Sequence, residues 1–192
     1  MLYAFTLAVM LIVAYYHWRE GLFTAVCSGV CVFLSGLVAF NFWEPLAGWI
    51  EGFIDRGPLQ GYEDFICLVV LFVFSLAVLR GITNAINYRE VDYLPTLNQI
   101  GGGFVGLITG YLLAGFLICA METLPWSQNF LSFEPYQEQE LKTRGLMPPD
   151  RLWLALMHRA GDTCLSRGEG YSTFDPSGTF ESNYFYNRRY AD

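Results

Sequence analysis

The 192-residue sequence predicts an all-α membrane protein: a four-transmembrane-helix bundle, with a short interfacial helix between spans 2 and 3 and a polar, aromatic-rich, largely irregular C-terminal tail. Three observations carry this. Through Glu122 the chain consists mostly of long apolar runs, four of which approach the roughly 20 residues that cross a bilayer's hydrocarbon. The last run repeats glycine at 102, 106 and 110, with Ala114 continuing the series. From Trp126 onward the sequence turns polar and aromatic, with few aliphatic residues.

The first span covers residues 2–18 and ends in His17, Trp18 and Arg19, an aromatic and basic group suited to the headgroup region. Nothing basic precedes it and no small-x-small cleavage site follows, so it reads as a retained helix rather than a signal peptide. The second span, 22–43, follows after Arg19, Glu20 and Gly21, a link so short that spans 1 and 2 are expected to form an antiparallel hairpin. Within it Ala25, Gly29 and Gly36 make a strip of small residues, and Trp43 stands as an interfacial anchor.

Next, Leu46, Trp49, Ile50 and Phe53 recur at helical spacing, with Pro45 before them and Gly57-Pro58 after. They predict a separate amphipathic helix lying in the interface; the alternative is a plain loop with aromatics turned to the membrane. The third span, 65–86, reaches full length only if Arg80 snorkels its guanidinium to the interface. The fourth, 100–121, is closed by Glu122 and Pro125.

Each glycine inside a helix costs roughly 1 kcal/mol relative to alanine, so the repeat at 102, 106 and 110 must gain something from lacking side chains. Residues four apart share a helix face, and in lipid small residues on one face let two backbones approach closely. Gly102, Gly106, Gly110 and Ala114 therefore read as a packing strip, a glycine zipper. Its expected partner is helix two, or a second copy of the chain. In the tail, Asp150 is placed to cap a short amphipathic helix, 151–160, carrying Leu152, Trp153, Leu156 and Met157 and ended by Gly161. It is too short to stand alone in water, so it docks on the membrane or the bundle, or stays disordered.

Lysine and arginine near the span ends decide orientation. Arg19, Arg80 and Arg89 fall on one side and Arg56 on the other, which places both termini outside.

The net charge of −7 argues against nucleic acid, which needs a basic stripe. The 5 cysteines are badly spaced for a disulfide framework. Cys27 and Cys31 share a helix face but have no nearby His, Asp or Glu to complete a metal site. Gly101 to Gly103 follow no strand and precede no Gly-Lys-Ser/Thr, so they are no phosphate loop. His17, Arg19, Glu20, Arg80 and Glu122 sit at span ends, where anchoring accounts for them. No catalytic residue, cofactor, metal or small-molecule substrate is expected; the partners expected are the lipid bilayer, further copies of the chain or other membrane proteins.

Two stretches are similar to a known family. Arg19-Glu20-Gly21-Leu22-Phe23 resembles the Arg-Gly-Phe/Leu turn between the first two spans of the colicin V production protein (CvpA) family. The run from Leu97 through Gly110 resembles that family's Leu-Asp-Arg-Leu-x-Gly-x-x-x-Gly-x-x-x-Gly motif, and the likeness extends from Met1 to about Trp126. Asn98 and Gln99 stand where the family has Asp and Arg, Glu20 interrupts the Arg-Gly pair, and Thr109 replaces a frequent basic residue. The resemblance implies a multi-pass protein of the bacterial inner membrane, linked to colicin or toxin secretion and envelope homeostasis, with no catalytic residues to carry over. The reading that follows is a non-enzymatic protein acting through helix packing or assembly. The alternative is an oligomeric small channel or exporter component lined by Ser28, Ser35, Ser75, Thr109 and Tyr111; a third is a binding module in the aromatic tail.

Overall fold

The computed structural model of the chain describes residues 2–54, 62–86, 95–124, 148–164, 180 and 184. Among these residues the fold is helical throughout: α1 (Leu2–Glu20), α2 (Leu22–Ile54), α3 (Glu63–Ile86), α4 (Pro95–Glu122) and α5 (Pro149–Cys164). Three are long and apolar enough to cross a membrane, over Leu22–Trp49, Glu63–Ala85 and Thr96–Glu122. The loop arginines Arg56 and Arg89 and most of the tail lie outside the described residues.

The segment expected as a separate interfacial helix is not separate. α2 runs on through Pro45 to Ile54. Proline removes one hydrogen bond, the one its N–H would give the carbonyl of Asn41, while the bonds on either side remain available. At 33 residues α2 is about 50 Å long, well beyond the roughly 30 Å hydrocarbon core.

The four long helices stand in a row, in the order α1, α4, α2, α3, rather than in chain order. α1 and α2 run antiparallel, as expected of so short a link, but they pack little on one another because α4 lies between them. Glycine accounts for the close α1–α4 contact: α4 offers α1 a face with no side chains, so the two backbones can approach.

The core lies toward the end of the row opposite the α1–α2 turn. Phe72 of α3 stacks on Phe116 of α4 with ring centroids 3.7 Å apart, and Phe40 of α2 meets Phe116 edge-on. α5 docks here. Its Trp153 and Met157 are wholly buried; Gly36 of α2 leaves the space that the Trp153 ring fills, and Gly115 of α4 lets the Pro149 backbone and the Trp153 Cβ approach. Two boundary details differ from expectation. The Pro148 carbonyl accepts from the Leu152 N–H, so Pro149 and Asp150 belong to the first turn. Gly161 lies within the helix, where it lets α5 pass close to Asn41.

Phe180 and Tyr184 close over the same end, packing on Trp43. The Tyr184 hydroxyl donates to Asp64 Oδ2 at 2.8 Å. Burial, and then the Asp64 charge, pushes that hydroxyl well above its ordinary 10.0, so it remains a donor.

Candidate functional site

Beneath the α1–α2 turn, three features converge. The first is the turn itself. Gly21 adopts a φ of 98°, a left-handed conformation that favours glycine. Its N–H bonds the His17 carbonyl at 2.9 Å, ending α1 in an αL cap, while its own carbonyl accepts from Ala25 and so begins α2. One residue thus terminates one helix and starts the next. The first N–H of α2 has no partner within its helix; Asn98, 76 positions away on α4, supplies one, its Oδ1 accepting from the Leu22 N–H at 2.7 Å.

The second feature is the contact of α1 with the glycine strip. A Cβ on Gly102 would lie 2.6 Å from the His17 carbonyl oxygen, one on Gly106 2.9 Å from Ala14 Cα, and one on Gly110 2.7 Å from Met10 Cα. All three distances are shorter than carbon and oxygen atoms tolerate, and each is to backbone. As α4 advances from Gly102 to Gly110, its contacts retreat along α1 from His17 to Met10, so the two helices run antiparallel. The strip therefore faces α1, not α2. Helix two has its own contact with α4: Gly29 leaves room for the Thr109 hydroxyl, which donates to the Val105 carbonyl at 3.0 Å. Ala25 and Ala114 are both fully buried.

The third is a group of polar side chains from three helices. Arg80 of α3 donates to Ser28 of α2 at 2.8 Å, and the half-exposed Tyr16 of α1 meets the His17 ring edge-on, with centroids 5.5 Å apart. His17 is 2% exposed, with Nδ1 3.7 Å from Glu20 Oε2. Deeper along the α2–α3 contact, Cys31 pairs with Thr83 at 3.5 Å, and Thr83 donates to the Leu79 carbonyl at 2.8 Å. The Cys31 thiol is therefore the donor to Thr83.

A model of the family described as Colicin V production protein matches residues 4–141. The chain belongs to the colicin V production protein family. No curated protein and no solved structure matches it. The match continues past Trp126, where the likeness read from the motifs ends.

Both stretches that carry the resemblance to the colicin V production family lie in this one place. Gly21 from the turn motif packs against the Asn98 side chain from the glycine motif. At position 98 the task of a hydrogen-bond acceptor for the α2 N-terminus explains Asp or Asn equally, so the departure from the family's Asp keeps the bond and drops the charge. Of the expected anchors, Trp18 lies over Gly103, Trp49 is exposed, and Trp43 is buried under Phe180 and Tyr184. Arg80 turns inward to Ser28. Arg19 flanks the turn in the last residues of α1.

Sequence reasoning missed Met10, Ala14 and His17 as the surface that receives the glycines, and Ser28 as the partner of Arg80. Only the first group left a signal, since positions 10, 14 and 17 share a helix face.

Proposed function

We propose that this member of the family is a non-enzymatic, four-span protein of the bacterial inner membrane, with both termini outside, that serves colicin or toxin secretion and envelope homeostasis through helix packing. The observation that carries this reading is the backbone contact of α1 with Gly102, Gly106 and Gly110, pinned at the turn by Asn98. α1 has 19 residues and an apolar run up to Tyr16; held along α4, it serves as the fourth crossing beside the three longer helices. Val70, Val73, Phe74 and Val78 of α3 and Leu7, Leu11 and Ile12 of α1 are exposed apolar side chains, which supports lipid as their surroundings.

A leucine at 106 would push its Cβ into the backbone of Ala14, which cannot move aside as a side chain can. The expected result for Gly106→Leu is loss of crosslinking between cysteines placed along α1 and α4, with the variant still retained in membranes after alkaline extraction. Unchanged crosslinking would count against the reading. Release of trapped solute from liposomes holding the purified protein would favour the channel alternative instead.

A further inference from the structure

We propose that Arg80 and Asn84 of α3 hold the phosphate of a membrane phospholipid, below the level of the α1–α2 turn, where the leaflet on the turn side is locally thin. The depth follows from the register of α2 against α3. The two helices run antiparallel: Trp43 packs on Tyr184, which holds Asp64, at one end, and Cys31 meets Thr83 toward the other at 3.5 Å. Cysteine and threonine are short, so Cys31 and Thr83 are level. Arg80, three positions before Thr83, is then level with about Leu34, yet its guanidinium reaches Ser28. Leu34 to Ser28 is roughly 9 Å of helix, so the side chain lies stretched along α2 toward the turn. It stops well short of the turn, for Leu22 stands a further 9 Å or so beyond Ser28.

A guanidinium at that depth needs an opposite charge or a path to polar surroundings. Among the described residues no carboxylate pairs with it. Glu20 is the one acidic residue at this end of the described helices, and its ion-pair contact is with His17 at 3.7 Å. Ser28 takes one of the five N–H donors that an arginine carries. Arg80 is only partly buried, and α3 stands at the edge of the row, so lipid has access to the donors left over. Asn84 follows one turn later on the same face of α3 and is exposed. The apolar run of α3 ends here, with Asn87, Arg89 and Glu90 next in the sequence. On this edge the polar boundary therefore lies deeper than at the turn, and bilayers thin locally to meet such a charge. A phosphate drawn down to it accepts the planar guanidinium fork in a bidentate pair, and the Asn84 amide donates a further bond.

The test uses the full-length protein in detergent, with bound molecules counted by native mass spectrometry. Three probes separate the sources of binding: phosphatidylglycerol, a diacylglycerol with the same chains and no phosphate, and inorganic phosphate. Phosphatidylglycerol is expected to stay bound, with the diacylglycerol lost and inorganic phosphate unable to displace the lipid. Arg80→Gln is expected to weaken phosphatidylglycerol binding by on the order of tenfold, the usual loss of one charge-assisted hydrogen bond, and Asn84→Ala by less. Arg159→Gln, which removes a positive charge from α5, is expected to leave it unchanged. Should Arg80→Gln fail to fold, Arg80→Lys keeps the charge without the fork and is expected to bind more weakly than the parent. Equal retention of the two lipids, or displacement by inorganic phosphate, overturns the proposal. So does undiminished binding in the Arg80 variant, which assigns the counter-charge to a carboxylate of the chain. The proposal rests on α2 and α3 crossing the membrane, and its failure leaves the packing of α1 on α4 untouched, since neither Arg80 nor Asn84 lies in that contact.

Discussion

At Gly21 a φ of 98° and the Asn98 side chain act together. The glycine permits the backbone path, and the amide satisfies the donor which that path leaves open. Replacing Asn98 by alanine removes the acceptor of the Leu22 N–H and is expected to cost about 1 kcal/mol, the usual loss for a helix N-cap. Asn98→Asp keeps the acceptor and adds a negative charge at a helix N-terminus, for an expected gain of about 0.3–1 kcal/mol over the parent. Unfolding in mixed micelles with increasing denaturing detergent orders the three proteins; an alanine variant as stable as the parent would dismiss the cap. The importance of glycine at 102, 106 and 110 was legible in the sequence, because its helix penalty demands compensation. The role of Asn98 was not, since its partner is 76 positions away and a lone asparagine near a helix start is usually read as a local cap.

Among the elements, α5 shows how small residues on two helices make a seat for a third. Gly36 leaves the space that the Trp153 ring fills, Gly115 lets the Pro149 backbone and the Trp153 Cβ come close to α4, and Trp153 is 0% exposed. Trp153→Ala empties that seat and is expected to cost about 3–5 kcal/mol of docking, releasing α5 rather than the long helices. Limited trypsin digestion in membranes should then cut after Arg151 and Arg159 faster than in the parent, with α1 to α4 still intact. An unchanged cleavage rate would show that Phe180 and Tyr184 hold the tail without it. The apolar face of α5 was legible from Leu152, Trp153, Leu156 and Met157. The run of α2 through Pro45 was not, because proline followed by amphipathic spacing describes both a new helix and the continuation of an old one; contacts along the helix decide between them.

Over the whole molecule, the antiparallel run of α1 on α4 and of α2 on α3 places the Gly21 turn at one end and the Trp43–Asp64–Tyr184 contact at the other. The basic residues Arg19 and Arg80 belong to the first end. The turn is therefore expected to face the cytoplasm and the tail the outside. A cysteine placed at Ser177, with Cys164 replaced by serine, should react with an impermeant thiol reagent in intact cells. A cysteine placed at Arg89 should react only after permeabilisation, and the reverse pattern would invert the orientation. By itself the sequence determined that the chain is helical, apolar through Glu122 and glycine-lined on its last long helix, because length, hydropathy and spacing are local properties that the backbone and the bilayer read directly. Only the tertiary structure decided which helix the glycines receive, that α4 separates α1 from α2, and that His17, Glu20, Tyr16, Arg80 and Ser28 gather at one turn. Those outcomes depend on competition among helix faces for close approach, and a face shows its partner only when both are in place.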